Sequence, residues 1–424
     1  MSAPSSAASR SPHRVRTSCR ACDEAALIRF LELGPQPLAN SFLSSEEEFA
    51  DEARYPLDVY LCGTCGLVQL ADVIDPEVLF RDYIYVTGTS STIAAHNERY
   101  AETVVQTLGL GGDDLVVEVA SNDGSLLHQF RARGTRTLGI EPARNIAALA
   151  RAKGLETVES FFSDQVAGEV RERFGAARAV VGNNVLAHVD DTQDFLRGAA
   201  RLLARDGVVI TEVPYLEEFV DRLEYDTVYH EHLCYFSVSA LMTLHERVGL
   251  SVIRVDRVPV HGGSIRTWAA LRSERPEHAP EVVAMAAAEV AAGLTSRARY
   301  ETFARDVAKQ REELRAMLAG LKAEGKRVAA YGAPAKGNTL LNYCGITTEL
   351  VDYTVDRNPL KVGRFTPGTH LPVRPYDTVA ADPPDVLLIL AWNFAEEIMR
   401  QPQERAFHEA GGRFLIPIPS PRLV

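Results

Sequence analysis

No apolar run in this 424-residue chain reaches the roughly 20 residues that crossing a bilayer requires. The first 16 residues, MSAPSSAASRSPHRVR, are small and polar and lack the continuous apolar stretch of a secretory leader. Positive charge is also short: 45 Lys and Arg face 57 Asp and Glu, a formal net charge of −12. That balance argues against bulk binding to nucleic acid or an anionic membrane and leaves room only for a local basic pocket. The expectation is a cytoplasmic protein with a disordered tail over residues 1–16 and no evident obligate protein partner. Hydrophobic residues make up 46% of the chain, enough for two to four domain cores.

Cysteine is scarce, and its placement is informative. Of six cysteines, Cys19/Cys22 and Cys62/Cys65 form two C-x-x-C pairs, while Cys234 and Cys344 stand alone. Each pair can present two thiolates to one metal, and together they complete a four-sulfur structural zinc site with no open position for catalysis. Gly63 and Gly66 flank the second pair, where glycine eases a tight knuckle. Redox dithiols or free thiols are the alternatives. No cluster of Lys and Arg interleaved with aromatics accompanies the cysteines, so a nucleic-acid ribbon is not indicated.

Downstream, DDLVVEVASNDGSLLHQF reads as strand, loop and helix: Leu115 to Val119, then Ala120 to Gly124, then Ser125 onward. RTLGIEPARN supplies a second strand, Thr137 to Ile140, ending in Glu141. An acid there can accept both ribose hydroxyls of an adenosine-containing cofactor, and Glu118 and Glu141 lie 23 residues apart. The loop lacks the glycines of a dinucleotide fingerprint, which favours S-adenosylmethionine over NAD. A third strand ends in Asn183-Asn184, followed by a loop carrying His188. The expected cofactor set is Glu118, Ser121, Asn122, Gly124, Glu141 and Asn183.

Tyr229-His230-Glu231-His232 places two imidazoles, a carboxylate and a phenol in four consecutive residues. Histidines two apart face different ways on a helix and cannot share a zinc as an H-E-x-x-H pair does. An acid/base centre and a polar loop satisfied by backbone both remain open on chemistry alone. Tyr83 and Tyr85 alternate as on one strand face, serving either packing or a pocket. His261-Gly262-Gly263-Ser264 offers close backbone approach to a ligand or simply a turn. Residues 276–325 are rich in alanine, leucine and charge and read as long connecting helices. Strand, loop and helix then recur: Val328 to Tyr331, Gly332 to Gly337 with Lys336, and a helix from Asn338, with Asp356 ending a later strand. Lys336 before a helix N-terminus is either a phosphate cradle or a turn.

Taken together, the two C-x-x-C pairs, EVASNDGSLL, NNVLAH, YHEHLCYFS, HGGSIR, YGAPAKGNTLLNYCGI and VDRNPLKVGRFTPGTHLPV resemble the S-adenosylmethionine-dependent nucleotide-sugar C-methyltransferases of deoxysugar biosynthesis. The resemblance spans nearly everything beyond the tail. It implies an α/β protein with a zinc-binding N-terminal domain (17–80) and a Rossmann-like methyltransferase domain (81–275). A helical connector (276–325) and a C-terminal Rossmann-like domain (326–424) follow. It implies S-adenosylmethionine and one structural zinc as cofactors and a dTDP-4-keto-6-deoxy sugar as substrate, methylated at C-3. It implies His232 as general base, Tyr229 and Glu231 as its partners, Tyr83 as an active-site tyrosine, and substrate contacts from Lys336 and His261. The motifs do not separate C-3 from C-5, and O- or N-methylation of another metabolite is the wider alternative.

Overall fold

The computed structural model describes residues 12–80, 91–260 and 262–424, so Tyr83 and His261 lie outside the described residues. Near the N-terminus are β1 (His13–Val15), β2 (Leu27–Glu32), β3 (Asp58–Cys62), β4 (Val68–Leu70) and β5 (Asp72–Ile74). β1 pairs antiparallel with β5. Residues 13–15 are therefore a strand, which corrects the expectation of a tail reaching residue 16. Specific contacts hold it there: His13 Nε2 lies 2.7 Å from Asp72, and Arg16 Nη1 lies 3.5 Å from Asp190.

The central strands are β6 (Leu115–Val119), β7 (Arg136–Ile140), β8 (Thr157–Val158), β9 (Ala177–Asn183), β10 (Leu203–Pro214), β11 (Cys234–Tyr235), β12 (Leu250–Val258) and β13 (Ser264–Leu271). Seven of them form one sheet in the order β12-β13-β10-β9-β6-β7-β8. β6 to β10 run parallel, and β13 runs antiparallel between β10 and β12. All five residues of β6 are buried, as expected of a parallel strand covered on both faces. Chain order reverses at β6, which opens a crevice beyond the carboxyl ends of β6 and β9.

β11 leaves this sheet. It pairs antiparallel with β4, giving a second sheet in the order β11-β4-β3-β2. The residues directly after the YHEH turn are thus fastened to the strand that follows the cysteine knuckle. Their apolar character explains the docking: Leu233, Cys234, Tyr235 and Phe236 are all buried.

The alanine-rich segment forms helices Pro280–Ala291 and Arg297–Ala323. The second packs against β2, with Phe30 and Tyr300 ring centroids 4.7 Å apart. Beyond it lie β14 (Val328–Tyr331), β15 (Thr354–Asp356), β16 (Val373–Pro375), β17 (Val386–Ile389), β18 (Arg413–Ile416) and β19 (Arg422–Leu423). They form a sheet in the order β16-β15-β14-β17-β18-β19, parallel except at β19. The helix after β14 runs from Ala335 to Cys344, three residues earlier than the sequence suggests. Gly337 therefore sits inside the helix, where a Cβ would come within 2.9 Å of Leu390. It serves close helix–sheet packing rather than a loop.

Candidate active site

The four N-terminal cysteines converge. Their sulfurs all lie within 4.8 Å of one another, and each residue is buried. Cys19 and Cys65 sulfurs are 3.5 Å apart, and those of Cys22 and Cys62 are 3.6 Å apart. A tetrahedron with Zn–S bonds of about 2.3 Å has edges of about 3.8 Å, so the set fits one zinc. The separations are far too long for a disulfide, whose S–S bond is about 2.05 Å. The Ala21 amide donates to Cys19 Sγ at 3.4 Å, the hydrogen bond of a tight knuckle. Four thiolates fill the coordination shell, so the zinc is structural.

The crevice of the seven-stranded sheet holds the second cluster. Ala120 (φ 55°) and Asn122 (φ 49°), at the end of β6, and Asn184 (φ 54°), at the end of β9, all occupy the left-handed region. Three non-glycine residues in that region mark strain of the kind stored at ligand sites. At Asn122 the conformation is held by Glu141, which accepts from the Asn122 amide at 2.8 Å and the Ala143 amide at 2.9 Å. Each carboxylate oxygen keeps a second acceptor position. Burial pushes both Glu141 and Glu118 above the usual carboxylate range. Glu118 Oε2, Ser121 Oγ and Asn183 Oδ1 are buried with no hydrogen-bond partner among the described residues. Such acceptors suit the hydroxyls and amines of an adenosyl amino acid, so the crevice fits S-adenosylmethionine. Five of the six expected cofactor residues line one cavity; Gly124 does not. At φ 74°, with a would-be Cβ 2.2 Å from Leu155, Gly124 shapes the turn instead.

The YHEH turn is neither helix nor strand. It follows the 3-10 turn Tyr225–Thr227 and precedes β11. His232 Nδ1 lies 2.8 Å from the Thr227 carbonyl, which can only accept, so Nδ1 carries the proton and Nε2 is the basic nitrogen. Tyr229 donates its hydroxyl to Nε2 at 2.7 Å. The His188 ring stands edge-on to His232 at 4.8 Å, its own pKa pushed down to about 4 by burial. His230 turns away, with Nε2 3.1 Å from the Pro56 carbonyl and a pKa lowered by burial. The two histidines are thus divided: His232 lines the cavity, and His230 is bonded to the zinc-bearing unit. Glu231 accepts from Asn40 Nδ2 at 2.6 Å.

The C-terminal sheet closes the far wall. Lys336 lies on the first turn of its helix, 3.6 Å from Asp226 and 4.1 Å from the Trp392 ring centroid. Trp392 also donates to Asp226 at 2.6 Å. Asp356 accepts from the Ala333 and Asn358 amides at 2.8 and 2.7 Å, so it braces its own loops. Lys361 donates to the Ala333 carbonyl at 2.8 Å, its pKa lowered by burial although Asp356 and Glu231 oppose the change. Tyr229, Glu231, His232, Asn40, Lys336 and Lys361 share one cavity with the cofactor residues, and its volume is about 1080 Å³. Asn40 and Lys361 were not legible as site residues; only long-range packing brings them to the cavity that Glu231 lines. His188 carried a faint signal in NNVLAH.

Three protein families match the chain in series. They are a zinc binding domain over residues 19–80, a methyltransferase domain over 93–255 and a C-methyltransferase C-terminal domain over 259–419. The C-methyltransferase NovU of Streptomyces niveus is 40% identical over 406 residues, covering 96% of each chain. Among solved structures, magnesium protoporphyrin IX methyltransferase from Synechocystis aligns over 42% of this chain and 80% of its own, at 14% identity and TM-score 0.32. A S-adenosylmethionine-dependent methyltransferase from Clostridium acetobutylicum aligns over 42% and 92%, at 10% identity and TM-score 0.34. The likeness to NovU runs from the cysteine knuckle to the C-terminal sheet, and on that ground this chain belongs to the S-adenosylmethionine-dependent C-methyltransferase family.

Proposed function

We propose that the enzyme methylates C-3 of a dTDP-linked 4-keto-6-deoxy sugar by base-assisted enolisation. The observation that carries the proposal is the His232–Tyr229 pair on the cavity wall. A 4-keto group acidifies the neighbouring C–H, and a histidine near neutral pKa is suited to remove that proton. The Thr227 carbonyl holds the proton on Nδ1, so the lone pair of Nε2 is available as base. When Nε2 takes the substrate proton, Thr227 continues to accept from Nδ1–H of the imidazolium. The Tyr229 hydroxyl, released from Nε2, is placed to donate to the enolate oxygen, and such a donor stabilises charge as it develops. Glu231, held by Asn40, is the further active-site partner in this reading. Bound S-adenosylmethionine supplies the electrophilic methyl. Glu118, Ser121, Asn122, Glu141 and Asn183 would hold it.

In this proposal the dTDP end rests against the C-terminal loops bearing Lys336 and Lys361. Tyr83 as an active-site tyrosine and His261 as a substrate contact, both implied by the family resemblance, remain part of the proposal. The test is incubation with S-adenosylmethionine and a dTDP-4-keto-2,6-dideoxy sugar in deuterated water, read by mass spectrometry and NMR. A new methyl on C-3 is the expected result. Deuterium beside the ketone without methylation would mean that the base acts but the sugar's substituents are wrong. Methylation on oxygen or nitrogen would sink the enolisation mechanism.

A further inference from the structure

Of the cavity carboxyl groups that the proposed chemistry does not use, Asp190 is held by Arg20, Glu212 by Arg266 and His96, and Asp191 by the Asp194 amide, which leaves Glu224. Glu224 immediately precedes the 3-10 turn Tyr225–Thr227, lines the cavity and is 4% exposed. Its Oε1 is buried and has no hydrogen-bond partner among the described residues. The neighbouring acid differs in two ways: Asp226 Oδ2 takes both Lys336, at 3.6 Å, and the Trp392 indole, at 2.6 Å, and Asp226, whose Oδ1 also has no partner among the described residues, does not line the cavity. Glu224 is left with neither. The chain also keeps the space over it tight, since a Cβ on Gly262 would come within 2.5 Å of Glu224 Oε1. Arg222 pins that glycine by donating to its carbonyl at 2.7 Å. Thr227 donates its hydroxyl to the Glu224 carbonyl at 2.7 Å and offers its own carbonyl to His232 at 2.8 Å. The backbone that positions the basic imidazole therefore also positions Glu224.

Buried acceptors are almost always paired, and leaving one unpaired costs stability. Glu224 lines the cavity, so a donor bound there is the candidate for the missing partner. We propose that Glu224 is a specificity residue that accepts a hydrogen bond from a donor substituent of the acceptor sugar, a hydroxyl or an ammonium. The inference rests on the sugar reading given above. A site built this way rejects an analogue that lacks the donor, because the carboxyl is then buried without a partner. Burial pushes Glu224 up to about 7, with Lys336 pulling the other way, so the group can meet either kind of donor at neutral pH.

The test compares wild type, Glu224→Gln and Glu224→Ala on dTDP-4-keto-6-deoxyglucose, its 2-deoxy analogue and its 3-amino analogue. Wild type is expected to favour a sugar bearing the recognised donor over its partner lacking it by about 10- to 100-fold in kcat/KM, mostly through KM. Glu224→Ala should bring that ratio to within about threefold of unity. Glu224→Gln, which keeps a carbonyl acceptor, should cut a hydroxyl preference about fivefold and abolish an ammonium preference. Zinc content and S-adenosylmethionine affinity, measured on each purified variant, should stay at wild-type values. Unchanged discrimination in Glu224→Gln overturns the inference, even if the alanine variant does not fold. Absence of turnover by wild type on every sugar would instead defeat the sugar reading, and this inference with it.

Discussion

His232 depends on both of its ring nitrogens: one is fixed by the Thr227 carbonyl at 2.8 Å and the other is left basic against Tyr229. His232→Ala should lower turnover by about 10³-fold or more, given the usual share of general base catalysis. Calorimetric affinity for S-adenosylmethionine should move by less than twofold, and near-normal turnover would remove His232 from its role. A different histidine governs stability. His245 is fully buried, donates Nδ1–H to the Leu241 carbonyl at 2.7 Å, and has no partner for Nε2 among the described residues. Burial lowers its pKa from 6.5 to about 4. Between those values the unfolded chain binds a proton that the folded chain refuses. Its contribution is intact above pH 6.5 and is lost as pH falls toward 4, by about 3 kcal/mol. Urea unfolding of wild type and His245→Gln across that window should show a flatter profile in the variant; parallel profiles would contradict the assignment.

At the scale of elements, the pairing of β11 with β4 ties the cysteine site to the YHEH turn. β4 lies three residues beyond Cys65, and β11 lies two residues beyond His232. Cys62→Ser removes one of four ligands, so zinc should be lost and the small sheet loosened. The expected outcome is sub-stoichiometric zinc by elemental analysis, a lower melting temperature and reduced turnover. A fully stable, zinc-replete variant would refute the four-cysteine site. Much at this scale was legible in advance. The apolar run Leu115 to Val119 and the strand ends at Glu141 and Asn183 follow from patterning alone, because a covered parallel strand needs continuous hydrophobicity. The helix from Ala335 was less legible. Gly332, Pro334 and Gly337 signal a loop by propensity, and only packing against Leu390 explains a glycine inside the helix.

At the scale of the whole molecule, three parts of the chain are joined around the cavity by buried polar bonds. Asn338 Nδ2 donates to the Ala39 carbonyl at 2.7 Å, and Thr339 Oγ1 donates to the Val228 carbonyl at 2.9 Å. Tyr225 donates to Gln310 at 2.7 Å, and Lys336 faces Asp226 at 3.6 Å. Asp226 has no exposed surface, so Lys336→Ala would strand a buried carboxylate that burial already pushes upward. The expected cost is about 3 kcal/mol, read as a lower urea midpoint, and much of it should return in Lys336→Met/Asp226→Asn. No midpoint shift in the single variant would mean that the pair holds nothing together. Among the described residues no helix is long and apolar enough to cross a membrane.

By itself the sequence determined the periodic and local features: the α/β class, the cysteine pairs and the strand-end acids. These depend on residues close together in the chain, where spacing sets geometry. It also brought Tyr229 and His232 into one turn, since they lie three positions apart. Only the tertiary structure decided which of the two histidines faces the cavity. That choice depends on Pro56 and Thr227, carbonyls on separate segments that no local pattern connects. The same holds for Asn40 beside Glu231, 191 residues away, and for Trp392 beside Asp226, 166 residues away. Contacts of that range arise from the packing of whole sheets, so they carry no signature in the residues that flank them.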